Sequence, residues 1–379
     1  MKEKQTKSDS FHKYSNYEPH LKPIDKPKGD KFKKINKWLS SHKFLVLSFI
    51  SILAITLGVS VYYLFGTIDY STPTVASVKK KEIKKTYSPL TGAEVSEADS
   101  KLPLTAVMIE NSPEARPQSG LKDAGVVFEA VAEGGITRFL AIYQEAKPGV
   151  IGPVRSVRPH YASWVAAFDA GLAHVGGSDI PLAKLRSGQI KDLDQFFNAG
   201  AYYRSNERYA PHNVYTSMEK LQGLNNAKKY STSTFTSWTR VKKEQVSPAP
   251  TAKSIDIPVS TGLFAVHYDW DPTTNSYQRS QGGGAHIDRE AGRITPKVVV
   301  TIQVPHDVIK ESNRYSYPDV IGSGKAWLFQ NGAVTEIGWS KASDKHQIIF
   351  TDPTGKPVEF NRGQTWITAI KPDKTPSWQ

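Results

Sequence analysis

The chain has 379 residues, 39% of them hydrophobic and 22% charged, which allows two or three domains with their own cores and excludes a largely disordered protein. It contains no Cys, so disulfides, thiolate metal sites, a Cys nucleophile and a lipid-modified Cys are excluded within this sequence. The net charge of +13 would suggest nucleic acid, but residues 1–43 hold twelve Lys against five acids, which is +7, while the other 336 residues hold 37 basic against 31 acidic side chains, which is +6. That distribution describes a charged tail, not a basic binding face.

Residues 1–43 lack hydrophobic periodicity and are rich in Lys, Pro and Ser, so they are expected to be a disordered cytoplasmic tail. Lysines beside a membrane attract anionic lipid by about 1 kcal/mol each near the surface. Membrane topology alone already accounts for them. Aromatic interleaving is sparse (Phe11, Tyr14, Tyr17, Phe32) and no nucleic-acid motif is present, so no nucleic-acid partner is expected. Residues 44–65 form a run of 22 uncharged residues, FLVLSFISILAITLGVSVYYLF. As a helix the run measures about 33 Å, against about 30 Å of bilayer hydrocarbon, so it reads as one transmembrane helix. Trp38, Tyr62 and Tyr63 fit interfacial positions. Lys31, Lys33, Lys34, Lys37 and Lys43 precede the run, whereas the next Lys is Lys79. The positive-inside rule then places the N-terminus in the cytoplasm and the C-terminus outside, as a single-pass protein of the cell membrane. A cleaved signal peptide would have a shorter apolar region and a small-residue cleavage site, whereas GTIDYSTP follows here. Residues 66–86 read as a linker.

A first domain over 87–245 follows. Strands are expected at 104–110, 125–132, 137–145 and 171–175, with helices at 159–170, 180–186 and 217–228, the last capped by Thr216. The interleaving gives an α+β or α/β class. Residues 246–258 (VSPAPTAKSIDIP) read as a second linker. From 259 to 371 the pattern is β-rich, with segments at 263–270, 275–280, 298–304, 326–329, 334–339, 347–350 and 366–370 separated by turn signals such as Asn331-Gly332 and Asp352-Pro353-Thr354-Gly355. Gly282-Gly283-Gly284 lacks the context of a phosphate loop and is expected to be a hairpin turn. The aromatics Trp270, Tyr277, Trp327, Trp339 and Trp366 sit at strand spacing and are expected in the core rather than on sugars.

Longer strings stand out in the first domain: Pro89-Leu90-Thr91-Gly92, Ile109-Glu110-Asn111, Ala115-Arg116-Pro117-Gln118-Ser119-Gly120-Leu121, Glu133-Gly134-Gly135-Ile136-Thr137-Arg138, Gly152-Pro153-Val154-Arg155-Ser156-Val157-Arg158, His174-Val175-Gly176-Gly177-Ser178 and Ala210-Pro211-His212-Asn213. The second domain adds Tyr277-Gln278-Arg279, Asn331-Gly332 and Gly338-Trp339-Ser340-Lys341. Together these closely resemble the YerB family of bacterial envelope proteins, over roughly residues 87–371. The resemblance implies an envelope location and a two-domain plan, and no settled activity. Many members look like lipoproteins tethered through a Cys. This sequence has none, and the helix over 44–65 takes over the tethering.

Five Arg lie in or beside these strings: Arg116, Arg138, Arg155, Arg158 and Arg204. Arg near Gly-rich turns can hold carboxylate or phosphate by paired hydrogen bonds. With Ser156, Ser178 and Asn213 they form the candidate ligand-binding set; the bland alternative is that they pair with Glu129, Glu133, Asp192 or Asp194 and hold the fold. Glu129 and Glu133, four apart on a strand, stand about 13 Å from each other, too far for a retaining glycosidase pair. A turn at Gly134-Gly135 would bring Glu133 toward Arg138 instead. His160, His174 and His212 are spaced 14 and 38 apart, which matches no compact metal motif. Ser178 with His212 lacks a nucleophile elbow. Two readings emerge. The first is a non-catalytic protein that binds an envelope polymer or envelope protein through an Arg-rich site, with no cofactor or metal. The alternative is a hydrolase or transferase on envelope glycan or peptide, with Glu129, Glu133, His174, Asp194 and His212 as acid–base groups and Arg138 and Arg155 as anion clamps.

Overall fold

The computed structural model describes residues 30–66, 85–311 and 316–379 and divides the chain into two units, 1–82 and 83–379. In the first unit, helix α1 (Asp30–Ser41) leads into helix α2 (Lys43–Phe65). The helix over 30–41 corrects the expected disorder of that stretch: Gly and Pro are absent from it, and Ile35, Trp38 and Leu39 follow helical spacing. Residues 1–29 of the expected tail, and 67–84 of the expected linker, lie outside the described residues. Within its own unit α2 buries no side chain. Its polar residues turn inward on the backbone: Ser48 Oγ donates to Phe44 O at 2.8 Å, Ser51 Oγ to Leu47 O at 2.9 Å and Thr56 Oγ1 to Ile52 O at 3.0 Å. The run thus presents an apolar surface all round.

The main elements of the second unit are, in chain order, β1 (Thr105–Glu110), β2 (Val126–Glu133), β3 (Ile136–Tyr143), α3 (Pro159–Ala166), β4 (Gly171–His174), α4 (Asp179–Arg186), β5 (Asp192–Asp194), α5 (Met218–Ala227), β6 (Ser254–Ile257), β7 (Val266–Asp271), β8 (Ser276–Gln281), β9 (Val298–Gln303), β10 (Gly322–Gln330), β11 (Ala333–Lys341), β12 (Ile349–Thr351), β13 (Thr365–Ile370) and β14 (Ser377–Trp378). A ten-stranded sheet runs β12-β11-β10-β9-β13-β2-β3-β1-β4-β5. Its first half comes from the C-terminal region and its second half from the N-terminal one. The seam is β13, which lies parallel to β9 on one side and to β2 on the other, with Thr365 opposite Val126 and Thr368 opposite Glu129. All six residues of β13 are buried, as a strand covered on both faces must be. The mixed α/β region and the β-rich region therefore share one sheet.

Two cores cover the faces of this sheet. One joins Phe128, Leu140 and Ile142 with Trp164 of α3 and with Trp339, Phe350, Phe360 and Ile367. The other joins Ile109, Val127, Phe139 and Ala141 with Leu221 of α5 and Trp366. Both mix the two regions, and burying one such large side chain stabilises by about 1.5–3 kcal/mol. A smaller antiparallel sheet, led by Gly284–Ala285 and continuing β8-β7-β6-β14, packs Ile255, Tyr268 and Tyr277 against Val299, Trp327 and Phe329.

Two local expectations change. Residues 254–257, expected as linker, form β6, because Ile255 and Ile257 alternate with Ser254 and Asp256 and are buried. Ser217, not Thr216, caps α5: its Oγ accepts from Lys220 N at 3.2 Å, while Thr216 Oγ1 donates to Ala201 O at 2.7 Å. The segment after α5 is a strap without regular structure. Trp238 Nε1 donates to Ile348 O at 2.8 Å and Arg240 Nη1 to Asn361 O at 2.8 Å, so this part of the first region clamps the second.

The C-terminal strings have structural roles. Trp339 Nε1 donates to Gln303 O at 2.8 Å, and Lys341 Nζ gathers the carbonyls of Ser343, Asp344 and His346. Tyr277, Trp327, Trp339 and Trp366 are buried core residues. Asn331 and Gly332 join β10 to β11 with φ of +61° and +73°, a two-residue turn that needs both residues left-handed. A Cβ on Gly332 would meet the Trp270 ring at 2.9 Å. Gly332→Ala should therefore lower stability by about 2 kcal/mol, read as a shift of the urea midpoint at unchanged slope; an unshifted midpoint would show that the turn tolerates a side chain.

Candidate functional site

β2 and β3 form a hairpin, and the tip of that hairpin sorts the candidate residues. Up to Val131 the pairing is regular, with Glu129 opposite Phe139 and Ala130 opposite Arg138; then Val131 pairs Thr137 but Glu133 pairs Ile136. One extra residue in β2 makes a bulge, which reverses the faces beyond it. Glu129 stays on the face of Thr137 and Phe139. Glu133 moves to the face of Arg138. The turn that follows uses Gly134 and Gly135 at φ of +56° and +79°.

Glu129 is fully buried. Its Oε2 accepts from Arg279 Nη2 at 2.8 Å and from Trp366 Nε1 at 3.1 Å. A chain of side chains returns from the same Arg to the same carboxylate. Arg279 Nη1 donates to His286 Nδ1, His286 Nε2 to Gln118 Oε1 at 3.0 Å, Gln118 Nε2 to Asn111 Oδ1 at 2.9 Å, Asn111 Nδ2 to Thr137 Oγ1 at 2.7 Å, and Thr137 Oγ1 to Glu129 Oε1 at 3.4 Å. Every donor along this chain points away from Arg279 and toward Glu129. Burial first, then the charges of Arg279, Arg116 and Arg293, hold His286 well below the usual imidazole range. The neutral Nε2–H form is the one the ring requires. Trp366, Phe139 and Tyr268 pack around the Arg279 guanidinium, with the Trp366 ring centre 4.5 Å away.

On the opposite face Glu133 is held by two guanidiniums, Arg138 Nη2 at its Oε1 and Arg158 Nη2 at its Oε2, each at 2.5 Å. Arg138 Nη1 donates to Ser156 O at 2.9 Å. Burial pushes the Glu133 carboxyl up, but the Arg138 charge and the bonds from Arg158 outweigh it, so the net shift is downward. Burial and the neighbouring Arg158 charge draw Arg138 down to about 10 against the pull of Glu133, which leaves it charged at neutral pH. Glu133 is one wall of a cavity of about 580 Å³ that also takes in Gly134, Gly135, Ser260, His306, Tyr317, Lys371 and Lys374.

The strip continues across β1, where Glu110 pairs in register with Arg138. Glu110 Oε1 meets Arg155 Nη2 at 3.0 Å, His212 Nδ1 at 2.9 Å and Ser112 Oγ at 3.1 Å. Glu133, Arg138, Arg155, Ser156, Arg158 and His212 thus gather along one strip of alternating charge. Ser178 borders the strip, its backbone N donating to Val157 O at 3.4 Å beside Arg158, while the remaining candidates sit in other environments. His174 places Nδ1 2.7 Å from Gly176 O and Nε2 3.1 Å from Asp192 Oδ1. Asp194 accepts from the backbone of Gly176 and Phe196 at 3.1 and 3.2 Å and is paired with Arg186. Arg204 Nη1 donates to Asn213 Oδ1 at 2.8 Å. Ser178 stands at the start of α4 without capping it. Arg116 donates through Nη2 to Asn111 O and Leu263 O at 3.0 and 2.9 Å. His160 is buried beside Tyr161 and Trp164. The three His therefore occupy three separate environments, and Glu129 and Glu133 face opposite sides of the sheet. Sequence reasoning missed Arg279, Gln118 and Glu110, although each lies in a quoted string. It also missed His286, Lys371 and Lys374, for which no local pattern exists.

Comparisons with known proteins agree with this architecture. The family described as protein of unknown function (DUF3048) matches twice, its N-terminal domain over residues 90–231 and its C-terminal domain over 255–367. The lipoprotein candidate YerB of Bacillus subtilis (strain 168) is 32% identical over 291 residues, which is 76% of this chain and 87% of that protein. A crystal structure of YerB from Bacillus subtilis is similar at a TM-score of 0.70 and 30% identity, covering 78% of this chain and 100% of that one.

The Glu133 pair yields a pH signature. A carboxylate whose folded pKa is depressed contributes stability above its unfolded pKa of about 4.3, and that contribution is lost as pH falls through the folded value. Glu133→Gln, which leaves Arg138 and Arg158 without their counter-ion, should cost about 3 kcal/mol at pH 7. In urea unfolding the gap to the natural protein should shrink at pH 3. An equal gap at both pH values would contradict the pairing.

Proposed function

The chain belongs to the YerB-like DUF3048 family of two-domain proteins of unknown function, and from that premise we propose that it is a membrane-tethered extracytoplasmic protein that binds an anionic envelope polymer without turning it over. The tether is α2, crossing the membrane once with the N-terminus in the cytoplasm. Its relative is a lipoprotein candidate, and this sequence has no Cys to carry a lipid. A 23-residue helix with no buried side chain in its own unit supplies the same attachment through a span.

The observation that carries the binding reading is the Glu133 carboxylate clamped between Arg138 and Arg158 at the wall of a cavity of about 580 Å³. A group held ionised by two cations is a poor proton donor and a weak base, yet it is a fixed acceptor for ligand hydroxyl or amide groups. Lys371 and Lys374 on the same lining supply cations, set against Asp307 at 3.9 Å and Asp373 at 3.5 Å, and one carboxylate shared by two guanidiniums leaves positive charge behind the wall. The combination suits a polymer that offers hydrogen-bond donors and anionic groups together. Acid–base chemistry has less support, because Glu129 accepts on both oxygens and both ring nitrogens of His174 are engaged.

Co-sedimentation of the full-length protein, in detergent, with purified cell-wall material tests the proposal. The natural protein should pellet with the wall, and Lys371→Glu with Lys374→Glu should lower the affinity about tenfold while the far-UV circular dichroism stays unchanged. Binding no stronger than that of an unrelated basic protein, or full retention by the double variant, would overturn it.

A further inference from the structure

The Glu129–Arg279 ring also borders a second cavity, of about 400 Å³, lined by Arg116, Pro117, Gln281, Ala285, His286 and Ile287. It shares no lining residue with the Glu133 cavity. Its polar groups are almost all donors. Arg279 Nη1 donates to Gln281 Oε1 at 2.8 Å, which fixes the orientation of that amide, because the opposite orientation would set an NH₂ against a guanidinium. Gln281 Nε2 is then left as a donor, buried and with no partner among the described residues. Arg116 commits Nε and Nη2 to Asn111 and Leu263, while its Nη1 meets no acceptor among the described residues. That atom stands beside the Gln281–Gly282 backbone, 3.4 Å from where a Gly282 Cβ would lie. His286 cannot accept either, since Nδ1 receives from Arg279 and Nε2 donates to Gln118.

Positive charge predominates around the cavity. Arg279 acts on Arg116 and on Arg293, and all three act on His286, while Glu129 and Glu114 act on Arg116, and Asp269 on Arg293, from beyond ion-pair distance. Glu129 is bonded to Arg279 alone of the three, and neither Arg116 nor Arg293 has an acid within ion-pair distance among the described residues. A buried donor without an acceptor, beside a guanidinium nitrogen and under predominantly positive charge, favours an anion. We propose that this cavity is an oxyanion site in which Arg116 Nη1 and Gln281 Nε2 hold a phosphate or carboxylate group. The N-terminal and C-terminal regions each give one of its donors, so the site exists only where the regions meet.

The test titrates the full-length protein in detergent with inorganic phosphate and, in a separate arm, with acetate. Ionic strength is held constant with chloride, and heat is read by calorimetry. One of the two anions should bind saturably at a single site. Arg116→Gln should weaken that binding at least about tenfold. Gln281→Glu keeps the acceptor for Arg279 and replaces the free donor with a carboxylate, so it should abolish binding; it decides the matter if the Arg116 variant fails to fold. Absence of saturable binding of both anions, or unchanged binding in Gln281→Glu, would overturn the proposal.

Discussion

The fold depends on one buried ion pair. Glu129 and Arg279 are both fully buried, one from each half of the chain, and 2.8 Å separates their charged atoms. Neither charge has water to fall back on. Removing one partner of such a pair costs about 3–5 kcal/mol, because the survivor is left uncompensated. The cost is contained here because Trp366, Gln281 and Tyr268 satisfy further atoms of the pair. The ring through His286, Gln118, Asn111 and Thr137 adds a second path between the same two charges, with every hydrogen bond polarised alike. The two family regions cannot close their cores without also closing this ring.

That constraint bears on function through strand β2. The stretch that holds Glu129 against Arg279 also carries Glu133, and the bulge after Val131 turns the two carboxylates to opposite faces. One face joins the regions; the other presents a fixed carboxylate to a cavity. Several strings of the YerB-like pattern thus have a physical reason that is not catalytic. Gln118 and Arg279 are ring members, Ser156 offers its carbonyl to Arg138, and Asn331 accepts from Asn275 and Asn361 at 2.9 and 2.7 Å while Gly332 lets the Trp270 ring approach. The wall of the cavity and the adhesion between the regions draw on the same hairpin, β2–β3.

Much of the fold was legible in the sequence. The strands at 105–110, 126–133 and 365–370 are near-continuous apolar runs because both their faces are covered, and Asn331-Gly332 announces its turn. The approach of Glu133 to Arg138 also followed from Gly134-Gly135. What escaped was what depends on distant partners. β6 reads as linker because its alternation spans only four residues beside Pro and Ser, and its partners are β7 and β14. The single sheet is invisible locally, since β13 joins β2 across more than two hundred residues of chain. The site was legible only in part: Arg138, Arg155 and Arg158 were marked by their strings, whereas Lys371, Lys374 and His286 carry no pattern and enter by tertiary contact. His174 reads as a polar residue at a strand end and Asp194 as an acid–base candidate or Arg partner, and the two bind backbone and one another's neighbours, with Asp194 paired to Arg186.

A double-mutant cycle in urea unfolding tests the account most directly, comparing the natural protein with Glu129→Gln, Arg279→Met and the two combined. The account predicts one cooperative transition reported alike by tryptophans of both regions, with each single substitution costing about 3–5 kcal/mol. The combined variant should lose no more than either alone, so the coupling is of the same size. Additive losses, or separate transitions for the two regions, would contradict it.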